Sequence, residues 1–185
     1  YSHIRVTQQS REEFRADIDK AKKLLEDISG VAIKGYRAPS YSIGAANLWA
    51  LDELHEAGHC YSSSIYPVKH DLYGMPEASR FAFYPRGDNG ILEIPISTIR
   101  LGNKNFPCGG GGFFRLYPYA VPRWALRRVN QGEGQPGMFY FHPCEIDPGQ
   151  PRQFGLSLKT PFRHHPNLGR REKRLGALLR SFDWV

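Results

Sequence analysis

Seven histidines stand at positions 3, 55, 59, 70, 142, 164 and 165. Imidazole is the side chain best suited to moving protons near neutral pH and to binding metal. Their neighbours set them apart. His142 ends the run Met138-Phe139-Tyr140-Phe141 and precedes Pro143. That run reads as a short buried strand, and the C-terminal end of a strand in a parallel α/β fold is where catalytic groups collect. A histidine there also suits a structural hydrogen bond in a core. Arg37 likewise follows a short strand, and Pro39 holds its loop extended. A buried guanidinium needs a carboxylate, so Arg37 reads as a site residue or as half of a structural ion pair with Asp or Glu. His55-Glu56-Ala57-Gly58-His59 has HExxH spacing at a helix end, but the helix closes at Gly58, before the second histidine. They read as a solvated pair rather than a metal site. His164 and His165 are adjacent, so their side chains diverge, and hydrogen bonding is the simpler role.

The elements that must position these groups alternate along the first 65 residues. A helix spans Thr7 to Gly30, opened by the capping box Ser10-Arg11-Glu12-Glu13. Phe14, Ile18, Ala21, Leu24, Leu25 and Ile28 form its apolar stripe, and Gly30 suits a left-handed cap. Val31-Ala32-Ile33 reads as a short buried strand. A second helix starts near Ala46, turns Leu48, Leu51 and Leu54 inward, and closes at Gly58. Residues 60–65 read as a strand. Helix, strand, loop, helix, strand predicts parallel βα units. Further on, Tyr66 to Arg86 is a long excursion, and residues 91–96 form a strand that Pro95 confines to an edge or an end. Gly109 to Gly112 read as a flexible turn. Helices are expected over Pro118–Asn130 and Arg170–Phe182, the latter with Leu175, Leu178, Leu179 and Phe182 on one face.

The chain has 185 residues, the size of one domain or part of one, with 41% hydrophobic, 13% aromatic and 23% charged residues. Those values exclude a disordered tail. No apolar run reaches the roughly 20 residues of a membrane span. The net charge of +7 is concentrated at one end: residues 151–185 hold eight Lys or Arg against Glu172 and Asp183. Such an end suits a solvated basic helix face, an anionic surface or an acidic polymer. Cys60, Cys108 and Cys144 are odd in number and widely spaced with no CxxC pattern, which excludes a disulfide framework, argues against a zinc knuckle and leaves room for one bridge.

Several ordered motifs together resemble one family. Gly35-Tyr36-Arg37-Ala38-Pro39-Ser40-Tyr41-Ser42-Ile43 resembles the third motif of NodB-homology polysaccharide deacetylases. Phe141-His142-Pro143-Cys144-Glu145-Ile146-Asp147-Pro148 resembles the fifth. Tyr61-Ser62-Ser63-Ser64-Ile65 sits where the fourth belongs. Phe162 to Gly169 resembles a tail segment of the branch found with exopolysaccharide gene clusters. Tyr1-Ser2-His3 looks like the end of the second motif. The resemblance implies a distorted (β/α) barrel, incomplete at its N-terminus. Residues 1–150 would be the C-terminal part of that barrel, and 151–185 a basic segment packed on it.

The same resemblance implies hydrolysis of N-acetyl groups on a polysaccharide or oligosaccharide. A divalent metal ion, zinc, would activate water, with His3 as one ligand. The catalytic base and two further ligands would lie upstream of residue 1. His142 would be the general acid, Arg37 would steer the base, and Ser40 and Tyr41 would meet the oxyanion or substrate. The loops carrying Tyr66–Tyr84 and Phe106–Tyr117 would wall a sugar groove. Two positions depart from the family pattern: Ser62 stands where an Asp is usual, so Arg37 needs another acid, and Cys144 stands where Trp is usual. A catalytically inactive polysaccharide-binding module is the alternative. Nucleic-acid binding by the basic tail has no supporting signature. The absence of a signal peptide in this chain favours the cytoplasm over the periplasm.

Overall fold

A computed structural model describes residues 1–70, 73–145, 147, 149 and 168–184. The chain divides into two compact units: residues 1–96 with 102–105, and residues 97–101 with 106–185.

In the first unit, helix α1 (Arg11–Ser29) starts where its capping box says it should. Ser10 Oγ accepts the Glu13 N–H at 3.2 Å, and Glu13 Oε2 accepts the Ser10 N–H at 2.8 Å. Gly30 ends it with φ 68°. The apolar stripe is longer than the face that packs. Phe14 and Ile18 are buried, whereas Leu24 and Leu25 are exposed and Ile28 is 76% exposed. Phe14 meets the rings of Tyr36 and Trp49 edge-on, each at 5.8 Å.

Three short strands, β1 (Gly35–Tyr36), β2 (Tyr61–Ser62) and β3 (Leu92–Glu93), form a parallel sheet in that order. Gly35 pairs with Tyr61 and Tyr36 with Ser62; Tyr61 pairs with Leu92 and Ser62 with Glu93. A Cβ at Gly35 would lie 2.4 Å from the Tyr61 ring, so the exposed Tyr61 side chain rests over the bare glycine. Residues 31–33 are not the expected buried strand. They are mostly exposed, and pairing begins only at Gly35. Helix α2 (Trp49–Glu56) buries Leu51 and Leu54 against the sheet core of Val6, Ile43, Ile65 and Ile91. Arg15 Nη1 ties α1 to α2 through Glu53 Oε2 at 3.1 Å. The excursion after Tyr66 returns at Phe83, which exchanges backbone hydrogen bonds with Glu93 at 2.9 and 3.0 Å.

The second unit is organised around Ser97. Its carbonyl accepts the N–H groups of Cys108 and Gly109, its N–H donates to the Met138 carbonyl, and its Oγ accepts the Met138 N–H at 2.7 Å. The glycine run is therefore no flexible turn. Gly109, Gly110 and Gly111 are buried, and Gly109 O and Gly110 pair with Tyr140. A Cβ on Gly109 would fall 2.2 Å from Met138 O. The run then opens helix α3 (Gly111–Leu116). Residues 138–142 are correspondingly not a buried strand. They make one parallel bridge, at Tyr140, and Phe141 is 41% exposed.

Strands β4 (Thr98–Leu101) and β5 (Lys104–Pro107) form a two-stranded sheet turning at Gly102, φ 60°. Helix α4 (Ala120–Arg127) continues through a wider π-type turn to Gly132, close to the expected span. Helix α5 (Leu168–Leu179) buries Leu175 and Leu178, but Leu179 is exposed. The expected hydrogen bonding of His164 and His165 lies outside the described residues. The protein is thus mixed α/β with small sheets, and no closed barrel is formed among the described residues. None of its described helices is long and apolar enough to cross a membrane.

Candidate functional site

Arg37 leaves the end of β1 and is anchored across the sheet. Its Nε donates to the Ser63 carbonyl at 3.1 Å and its Nη2 to Ser63 Oγ at 3.0 Å. The next residue is tied the same way, with the Ala38 N–H donating to Ser64 Oγ at 2.9 Å. Ser62 Oγ in turn donates to Ser64 Oγ at 2.8 Å. Ser63 therefore holds Arg37 through its hydroxyl and its carbonyl, and Ser62 and Ser64 brace the neighbouring residue.

The charge behind this ladder is Glu93, which is 0% exposed. Its Oε1 accepts the N–H groups of Ser64 and Ile65, each at 2.7 Å. Burial pushes its carboxyl above the usual range, opposed by the Ile65, Ser62 and Ser64 donors and by the positive charge of Arg37. Sequence reasoning passed over Glu93. The available signal was one carboxylate in the otherwise apolar stretch Ile91 to Ile96, because a charge there needs an internal partner.

The loop after Arg37 is a short 3-10 turn, Pro39–Tyr41, with Ser40 at φ 55°, ψ 27° and Tyr41 at φ 51°. Among the described residues only three other than glycine have positive φ, and the third is His3, at φ 55°. Each such residue costs on the order of 1–3 kcal/mol and persists only where its surroundings impose it. Here the surroundings do so. Ser42 Oγ accepts the Val6 N–H at 3.0 Å, and Asn47 Nδ2 donates to the Ser42 carbonyl at 2.8 Å. The first of these bonds docks the segment carrying His3 on the Arg37 loop. Ser40 and Tyr41 are left-handed in succession, and the Tyr41 N–H closes the turn on the Ala38 carbonyl at 3.2 Å.

Aromatic rings continue from this loop. The Arg37 guanidinium lies 6.0 Å from the Tyr41 ring centre. Tyr41 touches Tyr66 at 5.3 Å, Tyr66 stacks on Tyr73 at 5.9 Å, and the exposed His70 ring lies on Tyr73 at 4.0 Å and 5°.

His142 belongs to the second unit and its side chain is 67% exposed. Its N–H donates to Glu145 Oε2 at 3.1 Å, and its Nδ1 lies 3.9 Å from Glu145 Oε1. Glu145 fits there because residue 111 has no side chain: a Cβ on Gly111 would fall 1.8 Å from Oε2. His55 and His59 are not the expected solvated pair. His59 is buried, edge-on to Tyr36 at 5.9 Å, and burial, reinforced by Lys22, lowers its pKa. Thus His3, Arg37, Ser40 and Tyr41 share one unit, and His142 has a local carboxylate partner in the other. Among the described residues no three His, Cys, Asp or Glu converge as a metal site. His3 alone does not make one.

No curated protein and no solved structure matches the chain. The model of the family described as "Domain of unknown function (DUF3473)" matches residues 63–185, so the match begins at the serine that anchors Arg37 and covers most of the chain. The chain belongs to that family.

Proposed function

We propose that this chain is part of a polysaccharide N-deacetylase of the NodB-homology type, built on a distorted (β/α) barrel. The observation that carries the reading is local. Among the described residues, the three left-handed ones other than glycine, His3, Ser40 and Tyr41, fall at the positions which the motif resemblance assigns to a metal ligand and to oxyanion or substrate contacts. Strain of this kind gathers at functional sites. In the proposed reaction, water adds to an N-acetyl carbonyl, and the backbone N–H of Ser40 holds the oxyanion. Arg37 orients the carboxylate that takes the water proton, and His142 delivers a proton to the departing amine. A divalent cation, zinc, with His3 as one ligand, completes the proposal.

Acetate release from an N-acetylated oligosaccharide by the full natural gene product tests it. Arg37→Ala should cost at least tenfold in turnover while leaving the fold intact. A full-length protein with no acetate release from any N-acetylated glycan would discard the reading. The exposed His70 ring stacked on Tyr73 favours a second reading, a saccharide-binding module without catalysis, because aromatic faces suit pyranose rings. Glycan binding without acetate release would select it.

A further inference from the structure

The second unit encloses an apolar cavity of about 240 Å³ that the proposed deacetylation does not use. Its walls are Ile99 and Leu101 from β4, Phe106, Phe113, and Val121 and Trp124 from α4. Ile99 and Leu101 are two apart on one strand, and Val121 and Trp124 are three apart on one helix, so each pair shares a face. The lining carries only three polar side-chain groups, the Cys108 thiol, the Tyr117 hydroxyl and the Trp124 indole N–H. Trp124 is 50% exposed, and Leu101, Phe106 and Val121 are also exposed. These large apolar residues have failed to bury themselves around one opening.

The chemistry of the walls selects the ligand. A sugar would bury hydroxyls with almost nothing to bond them, which is costly. A helix of a partner protein is roughly 10 Å wide, whereas 240 Å³ holds roughly eight water volumes. A single hydrocarbon chain fits both limits. Charge then marks the rim. Arg174 Nη1 lies 3.5 Å from the Tyr117 carbonyl, at the cavity's edge. The exposed Arg127 and Arg128 stand three and four residues beyond Trp124, one helical turn along α4.

We propose that this cavity binds the hydrocarbon chain of an anionic amphiphile, such as a prenyl phosphate, whose head group is met by Arg174 and the arginines that end α4. The proposal is independent of the deacetylase reading, because it rests on the second unit alone.

Quenching of Trp124 fluorescence by farnesyl monophosphate tests it in the whole chain, with Trp124→Phe identifying the signal against Trp49 and Trp184. Saturable quenching is expected. Val121→Trp, which plugs the mouth at an exposed position, should weaken binding at least tenfold at an unchanged melting temperature. Ala125→Met, on the cavity wall, serves if that variant misfolds. Arg174→Gln should weaken farnesyl monophosphate about tenfold, the scale of one charged hydrogen bond, and leave farnesol unaffected. Four results would each overturn the proposal: no saturable quenching, unchanged affinity in both plugging variants, farnesol binding as tightly as its phosphate, or binding confined to phosphatidylglycerol vesicles. Displacement by inorganic phosphate alone would reduce the site to its arginines and also overturn it.

Discussion

Glu93 Oε1 accepts the Ser64 backbone N–H at 2.7 Å across 29 residues of sequence. A fully buried carboxylate on β3 thereby fixes the end of β2, and the Ser63 and Ser64 side chains pass that position on to Arg37 and Ala38.

Removing the carboxylate should therefore cost stability before anything else. Glu93→Ala leaves two buried N–H groups unpaired, each worth about 1–3 kcal/mol. Glu93→Gln keeps an acceptor oxygen and should cost less. Urea denaturation of both variants decides this, and an alanine variant as stable as the parent would refute the arrangement.

The same residue sets a pH dependence. Burial raises its pKa, so the folded state holds the proton where the unfolded chain has released it. Its contribution is fully present below the usual glutamic range and is lost as pH rises through the raised value. The stability difference between parent and Glu93→Gln should change in that direction, and a flat difference between pH 4 and 8 would contradict it.

His59 acts with the opposite sign. Its folded pKa lies below the ordinary value, chiefly through burial. Its contribution is present above about pH 6.5 and is lost as pH falls through the lowered value. Replacement by Phe, which retains an edge contact with Tyr36, should remove that acid sensitivity. Melting curves of parent and His59→Phe at pH 5 and 7 compare the two.

Glycine 109 should tolerate no side chain. The clash of Gly109→Ala is with backbone atoms of Met138 and Ser97, at 2.2 and 2.9 Å, so relief requires the 138–140 segment to move. A loss of about 1–3 kcal/mol is expected. Gly132→Ala, whose Cβ would find only ordinary contact at 3.6 Å, is the control. Equal melting temperatures for the two variants would show that the 109–140 pairing is looser than described.

His142 separates catalysis from folding. Because its side chain is largely exposed, His142→Ala should leave the melting temperature unchanged. Under the proposed function, turnover of an N-acetylated oligosaccharide by the full-length protein should fall ~10²–10⁴-fold, with little change in substrate affinity. A variant with parental turnover would remove His142 from the reaction.

Local signals in the sequence determined the local structure. The capping box and Gly30 set both ends of α1, and the spacing of Leu51 and Leu54 set the buried face of α2. These follow from bonds and contacts made within a few residues. The resemblance picks out His3, Arg37, Ser40, Tyr41 and His142 by residue type and order alone. What surrounds them was decided by tertiary structure. Gly109 to Gly111 look like a flexible turn until the 138–140 segment lies against them. The stripe of α1 looks uniformly inward until the sheet proves to cover only Phe14 and Ile18. Glu93 looks like one polar residue in a strand until parallel pairing sets it opposite Ser62, within reach of the Ser64 and Ile65 N–H groups. A carboxylate's partners across 29 residues depend on strand register, and register is settled by the packing of the whole sheet rather than by any local pattern.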